Sequence, residues 1–325
     1  MNNRKLLILL LTFTSVILTA TEKNENSLWN FASPAADVIL YFNTEQPEQA
    51  MDKNLWQLIQ KDKQKAIDSS PDEQLFDTKN RDMEAIANLY IRSISPFSAT
   101  VEGVANITGN IHNDIQKLLG TLKQNGGPTP QIKETGKVTH YNFTMPGVEK
   151  MPPWDVMFTP ISNNQLHFRI NIAPSGEMSQ MMIGTSQGKV QILQTVSQQA
   201  LAFVLAGNVE KIAPFFAMAG ERTQNISSYL SQIQTLCICG NVQSQHLIIN
   251  ADIILKDPAA AGRFVQLLNG VCPKLAQVAH FDGSPQIVSK GKIVNINGKI
   301  NIARGWQMIS HITSQQRGII FPEKK

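Results

Sequence analysis

Charge, sulfur and aromatic rings are all scarce. Only 17% of the 325 residues are charged, 7% are aromatic and three are cysteine. Three thiols cannot frame a disulfide-stapled fold, and at most one bridge closes within the chain. Few aromatics stand among the basic residues, which argues against a nucleic-acid partner. There is no Walker loop, no GxGxxG, no HExxH and no Asp-rich calcium loop, so no locally encoded nucleotide, zinc-hydrolase or EF-hand chemistry is expected. No cofactor or metal is expected. Beyond the N-terminus no apolar run is long enough for a helical membrane span.

What is present begins with that N-terminus. Arg4 and Lys5 precede an apolar run from Leu6 to Leu18, followed by Thr19-Ala20-Thr21 and a polar stretch. A charged start, an apolar centre of this length and a small-residue exit form a secretory signal, with cleavage after Ala20. An uncleaved anchor is the competing reading, and only that reading ties the chain to a membrane. Export places the protein in a periplasmic or secreted setting, where disulfides form. A bridge from Cys237 or Cys239 to Cys272 would tie a strand to the helix lying on it. The alternative is three buried thiols packed as small apolar groups.

One stretch occurs twice. Arg169-Ile170-Asn171-Ile172-Ala173 returns as Lys299-Ile300-Asn301-Ile302-Ala303, and both copies lead through loop-type residues to a Met, at 178 and 308. A match of this length and polarity order suggests duplication of one α/β unit. Val38 to Phe42 and Leu201 to Leu205 read as matching buried strands. Ile115, Leu118, Leu119 and Leu122 repeat the spacing of Phe264, Leu267, Leu268 and Val271, each a helix face. Asp257-Pro258 is a helix start, a capping residue followed by proline at the first helical position. Asn163-Asn164 and Asn297-Gly298 read as hairpin turns, the latter between strands 292–296 and 299–303. Residues 81–94 read as a helix, and 123–136 as a linker.

The expected fold is α+β: two tandem ferredoxin-like split βαβ repeats, with mostly antiparallel sheets and helices on one face. The domain reading is a signal peptide over 1–20, a polar leader over 21–34, repeats over 35–195 and 196–318, and a basic tail over 319–325.

The site candidates are few. Gly184-Thr185-Ser186-Gln187-Gly188 matches the serine-hydrolase elbow. It lies between a helical segment and a strand, the reverse of the order that chemistry needs, so a loop is the expected reading. Met178, Met181 and Met182 suggest thioether ligands, but i, i+4 spacing equally suits a core. The six histidines are scattered, with His140 and His167 on strands. Charge is uneven: from Ala251 to Lys325 ten Lys or Arg stand against four acids. Lys290, Lys292, Lys299 and Arg304 gather on the second hairpin and form the candidate binding residues, suited to an anionic polymer or another envelope protein. Non-catalytic binding or scaffolding, through the groove between the repeats or the open sheet face, is the expected function. A hydrolase assembled only in three dimensions, and a metal or redox carrier using Cys and Met sulfur, are the competing classes.

Overall fold

The computed structural model describes residues 28–33, 35–68, 82–94, 97–124, 127–136, 138–145, 153–172, 203–209, 230–278 and 281–304. The signal segment, the Gly184–Gly188 motif, Met178, Met181, Met182 and the second half of each repeated motif lie outside these residues.

Val38-Ile39-Leu40-Tyr41-Phe42 is apolar on both faces, as a strand inside a sheet must be. It forms β1 (Val38–Asn43), paired on one side with β2 (Met83–Ile94) and on the other with β8 (Phe203–Asn208). The remaining strands are β3 (Phe97–Ile107), β4 (Gln131–Thr135), β5 (Val138–Met145), β6 (Trp154–Pro160), β7 (Gln165–Ile172), β9 (Ile233–Gln243), β10 (His246–Leu255), β11 (Gln286–Lys290) and β12 (Ile293–Asn301). Among the described residues all join one twelve-stranded sheet in the order β11-β12-β10-β9-β8-β1-β2-β3-β7-β6-β5-β4. Every pairing of these strands is antiparallel.

Among the described residues four α-helices accompany the sheet: α1 (Glu45–Ala50), α2 (Lys53–Asp68), α3 (Ile111–Gln124) and α4 (Pro258–Val278). Their starts follow capping chemistry. Asn43 Oδ1 accepts from the Glu45 amide, Asp52 Oδ1 from Leu55, Asn110 Oδ1 from Asn113, and Asp257 Oδ1 from Ala260 at 2.7 Å. α3 buries Ile111, Ile115, Leu118 and Leu119 against Ala85, Ala105, Phe158 and Phe168. α4 sets Ala260, Ala261, Phe264, Val265 and Leu268 against Leu236, Ile253 and Val294. α2 sets Leu55 beside Val242 and Leu247. The cross-strand registers put all these strand residues on one face, so the helices share a single side of the sheet.

The mixed α+β class with a large antiparallel sheet is as expected, but the order is not that of a split βαβ unit. Such a unit interleaves its strands through crossovers. Here β1, β2 and β3 are neighbours in chain order. The chain leaves the sheet at Asn43 and returns beside it at Glu84, with the Thr44 amide bonded to Met83 O at 2.9 Å. α1 and α2 are therefore an excursion within a hairpin, not a crossover. The excursion also reaches the far half: the Ser244 amide donates to Ala50 O and the Asp52 amide to Ser244 O.

Other expectations are corrected. Residues 83–94 are a strand, not a helix. The stretch 123–136 holds the end of α3 and β4, not an open linker. β12 runs through Asn297-Gly298 without turning, and the hairpin turn is Gly291-Lys292, with Gly291 at φ 60°. Gly298 is needed for another reason: a Cβ there would strike the Phe281 ring. The described part of the stretch read as a polar leader is packed on the sheet: Leu28 is fully buried and Trp29 stacks on Tyr41 with ring centroids 4.5 Å apart.

The two motif copies begin on strands equally far from the central pair, β7 three strands out from β1 and β12 three out from β8. Their ladders differ in reach: from Ile170 it runs through Val101 and Leu89 to Val38, and from Ile300 through Leu247 to Val242 on β9.

Candidate binding face

No described helix covers the other side of the sheet except a single 3-10 turn, Leu28–Phe31, over its centre. Beneath that turn lie Ile39, Tyr41, Ile86, Val104, Val204, Ala206, Cys237 and Cys239. Asn88, itself buried, holds the turn in place. Its Oδ1 accepts from the Ser33 amide and its Nδ2 donates to Phe31 O, both at 2.8 Å. A buried amide that meets two backbone groups offsets its own desolvation. On either side of this apolar centre the face carries more polar side chains, with Val288 and Ile293 exposed among them on β11 and β12.

The flank on β3, β7, β6 and β5 is a network of short polar contacts. His167 Nε2 lies 3.1 Å from Glu102 Oε1, and His140 Nδ1 lies 2.9 Å from Thr159 Oγ1. Thr100 Oγ1 donates to Asn171 Oδ1 at 3.0 Å, and Thr144 Oγ1 to Asp155 Oδ1 at 2.7 Å. Glu102 stands directly across from Arg169, and Thr159 directly across from His167. His140 and His167 thus flank Thr159, two strands apart, or roughly 10 Å at ordinary strand spacing.

Nearer the centre, the Tyr41 hydroxyl donates to Glu84 Oε1 at 2.9 Å. Burial pushes the Glu84 carboxyl above its ordinary value, opposed by the bonds from Tyr41 and Asn106. Burial also pushes the Tyr41 phenol up, with the Glu84 charge adding to it.

The flank on β10, β12 and β11 is open. Asn297 Nδ2 donates to Asn250 Oδ1, and Asn295 Nδ2 to Asp252 Oδ1, two rungs of an exposed ladder. Lys290 and Lys299 stand on this same face at opposite ends, as the pairing of Lys290 with Ile293 and the alternation of β12 require. They lie roughly 20 Å apart at ~3.4 Å per residue. Lys292 is in the β11–β12 turn, and Arg304 follows β12, its amide donating to Asn301 Oδ1. The four basic residues expected to gather are exposed but divided: Lys290 and Lys292 at one end, Lys299 and Arg304 at the other. The misplaced hairpin turn explains the difference. Sequence reading also missed the asparagine ladder, whose signal was the alternation Asn295-Ile-Asn297 opposite Asn250-Ala-Asp252.

The cysteines do not approach one another across the sheet. Cys237 and Cys239 are buried on the helix-free side and Cys272 is buried on α4, on the other side; all three are free. The bridge considered from sequence would have to pass through the sheet. Burial pushes the Cys237 thiol up to about 12, with Cys239 and Asp252 adding to it. Burial also raises Cys239 and Cys272. Such thiols stay protonated at neutral pH and are poor nucleophiles and ligands. Among the described residues no three His, Cys, Asp or Glu side chains are grouped to hold a metal. No described helix is long and apolar enough to cross a membrane.

No family model matches the chain, and no curated protein does. Solved structures of a protein named TP0453 are similar to it at low identity. Crystal form I is 13% identical, covers 90% of this chain and 99% of that one, and has a TM-score of 0.46. Crystal form IV is 12% identical, with coverage of 88% and 96% and a TM-score of 0.44.

Proposed function

We propose that this chain is an exported, non-catalytic binding protein of the envelope or periplasm that holds an anionic polymer across the helix-free face of β10, β12 and β11. Lys290 and Lys299 are its two main contacts, Lys292 and Arg304 extend the track at either end, and Asn295 and Asn297 offer amide donors between them. The observation that carries this reading is the shared placement of Lys290 and Lys299 on one open face, bracketing the asparagine ladder. Two cations spaced along an exposed strip, which also holds Asp252, Val288 and Ile293, suit a repeating anion better than a small ligand, which needs a concave site. Export rests on Arg4, Lys5 and the apolar run behind them. We further propose that the sheet arose from two tandem copies of one unit, meeting at β1 and β8; the placement of both motif copies three strands out from that central pair supports this.

The hydrolase reading would draw on the row Glu102, His167, Thr159, His140. There His140 Nδ1 meets the Thr159 hydroxyl at 2.9 Å while Glu102 holds the other histidine, His167, at 3.1 Å, so the carboxylate orients a different imidazole from the one beside the hydroxyl. That arrangement favours binding over catalysis.

The test is retention of the chain from Thr21 onward on immobilised heparin, used as a generic polyanion. The double variant Lys290→Glu, Lys299→Glu should elute at much lower salt than the parent. Equal elution of the two, or no retention of the parent, would refute the polyanion reading.

A further inference from the structure

Among the described residues the sheet has twelve strands and two edges, and the edges are built differently. The edge strand β4 is guarded: Lys133 sits at its centre, Glu134 follows, and Pro128 and Pro130 precede it. Charge and proline are the ordinary means of keeping an edge from pairing. The edge strand β11 reads Gln286-Ile287-Val288-Ser289-Lys290, with its only charge at the last position. Its central residue, Val288, is 61% exposed. Ile287 is half-buried beneath α4, which lies nearest to this strand. α4 carries an exposed large apolar side chain, Val271, and Leu267, one turn before it, is half-buried.

We infer that β11 is a self-association edge, and that its partner is β11 of a second copy of this chain. A two-fold axis normal to the sheet keeps the helix-bearing and open faces of both copies aligned, and full overlap of the strand centres that axis on Val288. Val288 then faces Val288 of the second copy, Gln286 faces Lys290 and Ile287 faces Ser289. No like charges meet. The same operation centred on β4 sets Lys133 against Lys133, so the two edges differ in what they admit. An isologous strand pair of this kind satisfies the outward backbone groups of both copies at once. Five residues make a small ladder, so the dimer is concentration-dependent rather than obligate. This inference stands on the edge strand and not on polyanion binding.

Sedimentation velocity of the chain from Thr21 onward, over a wide concentration range, is the first test. The parent should move from monomer to dimer as concentration rises. Val288→Lys should remain monomeric with an unchanged melting temperature, since the side chain is exposed, whereas Ile132→Thr on the β4 edge should dimerise like the parent. Register has its own test. Val288→Cys should form a disulfide-linked dimer under mild oxidation, because residues directly opposite on antiparallel strands lie within bridging distance. A parent that stays monomeric at every concentration would overturn the inference. So would a Val288→Lys variant that dimerises like the parent, or a Val288→Cys variant that fails to cross-link.

Discussion

Glycine opposite phenylalanine recurs at three places on the helix-bearing side of this sheet. Gly103 stands across from Phe168, Gly240 across from Phe203, and Gly298 lies under Phe281. In each case the ring occupies the space a Cβ would take. Glycine weakens a strand by its entropy and lack of side chain, and an aromatic ring laid over it restores the lost contact. Gly240→Ala should therefore cost about 1–3 kcal/mol, as overpacking does, and chemical denaturation would measure it. Glu84 supplies a second residue-scale prediction. Its folded-state pKa is raised by burial, so ionising it costs folding free energy as pH rises through that value. Glu84→Gln removes that cost. Thermal melts should show the variant gaining on the parent at neutral pH, with the gain shrinking as pH falls toward and below the ordinary carboxylate range. A gain that grows on acidification would contradict the assignment.

Among the elements, those framed by local chemistry were legible. The Asp257-Pro258 start of α4, the apolar side of α3, the β6–β7 turn at Asn163-Asn164 and the strands meeting near Ser244 all stand where the residues pointed. Elements fixed by distant partners were not. Met83-Glu84-Ala85-Ile86-Ala87 has helix-forming residues, but β1 and β3 pair with it on both sides and impose a strand; tertiary context overrides propensity. Asn297-Gly298 has the composition of a turn, yet its glycine serves the Phe281 ring. α4 is apolar on more than one side, so spacing alone admits two faces; Phe264 and Leu268 enter the core while Val271 faces outward. A pair of truncations separates these roles. Leu118→Ala should destabilise by about 2–5 kcal/mol, as buried leucine truncations do. Val271→Ala in the monomer should stay within about 0.5 kcal/mol, as surface changes do. Urea titration at low protein concentration would distinguish them.

For the whole molecule, the continuous sheet matters more than either half. Pairing of β1 with β8 carries the ladder across the middle, and the α1–α2 excursion of the first half grips the β9–β10 turn of the second through Ser244. Halves tied in both ways should unfold together, so calorimetry should give one transition with equal calorimetric and van't Hoff enthalpies. Two separate transitions would mean that the clasp and the central pair are weak. The candidate site was only partly readable because it belongs to this scale. The lysines were visible as charges, but their division between two ends of β12 followed from a turn placed at Gly291-Lys292. The asparagine ladder needed the register of three strands. The most direct measurement of the binding claim is a lysine-acetylation footprint read by mass spectrometry, with and without heparin. Lys290 and Lys299 should be protected while Lys133, on the opposite edge of the same sheet, is not. Protection of Lys133 alone, or of none of the three, would contradict the account.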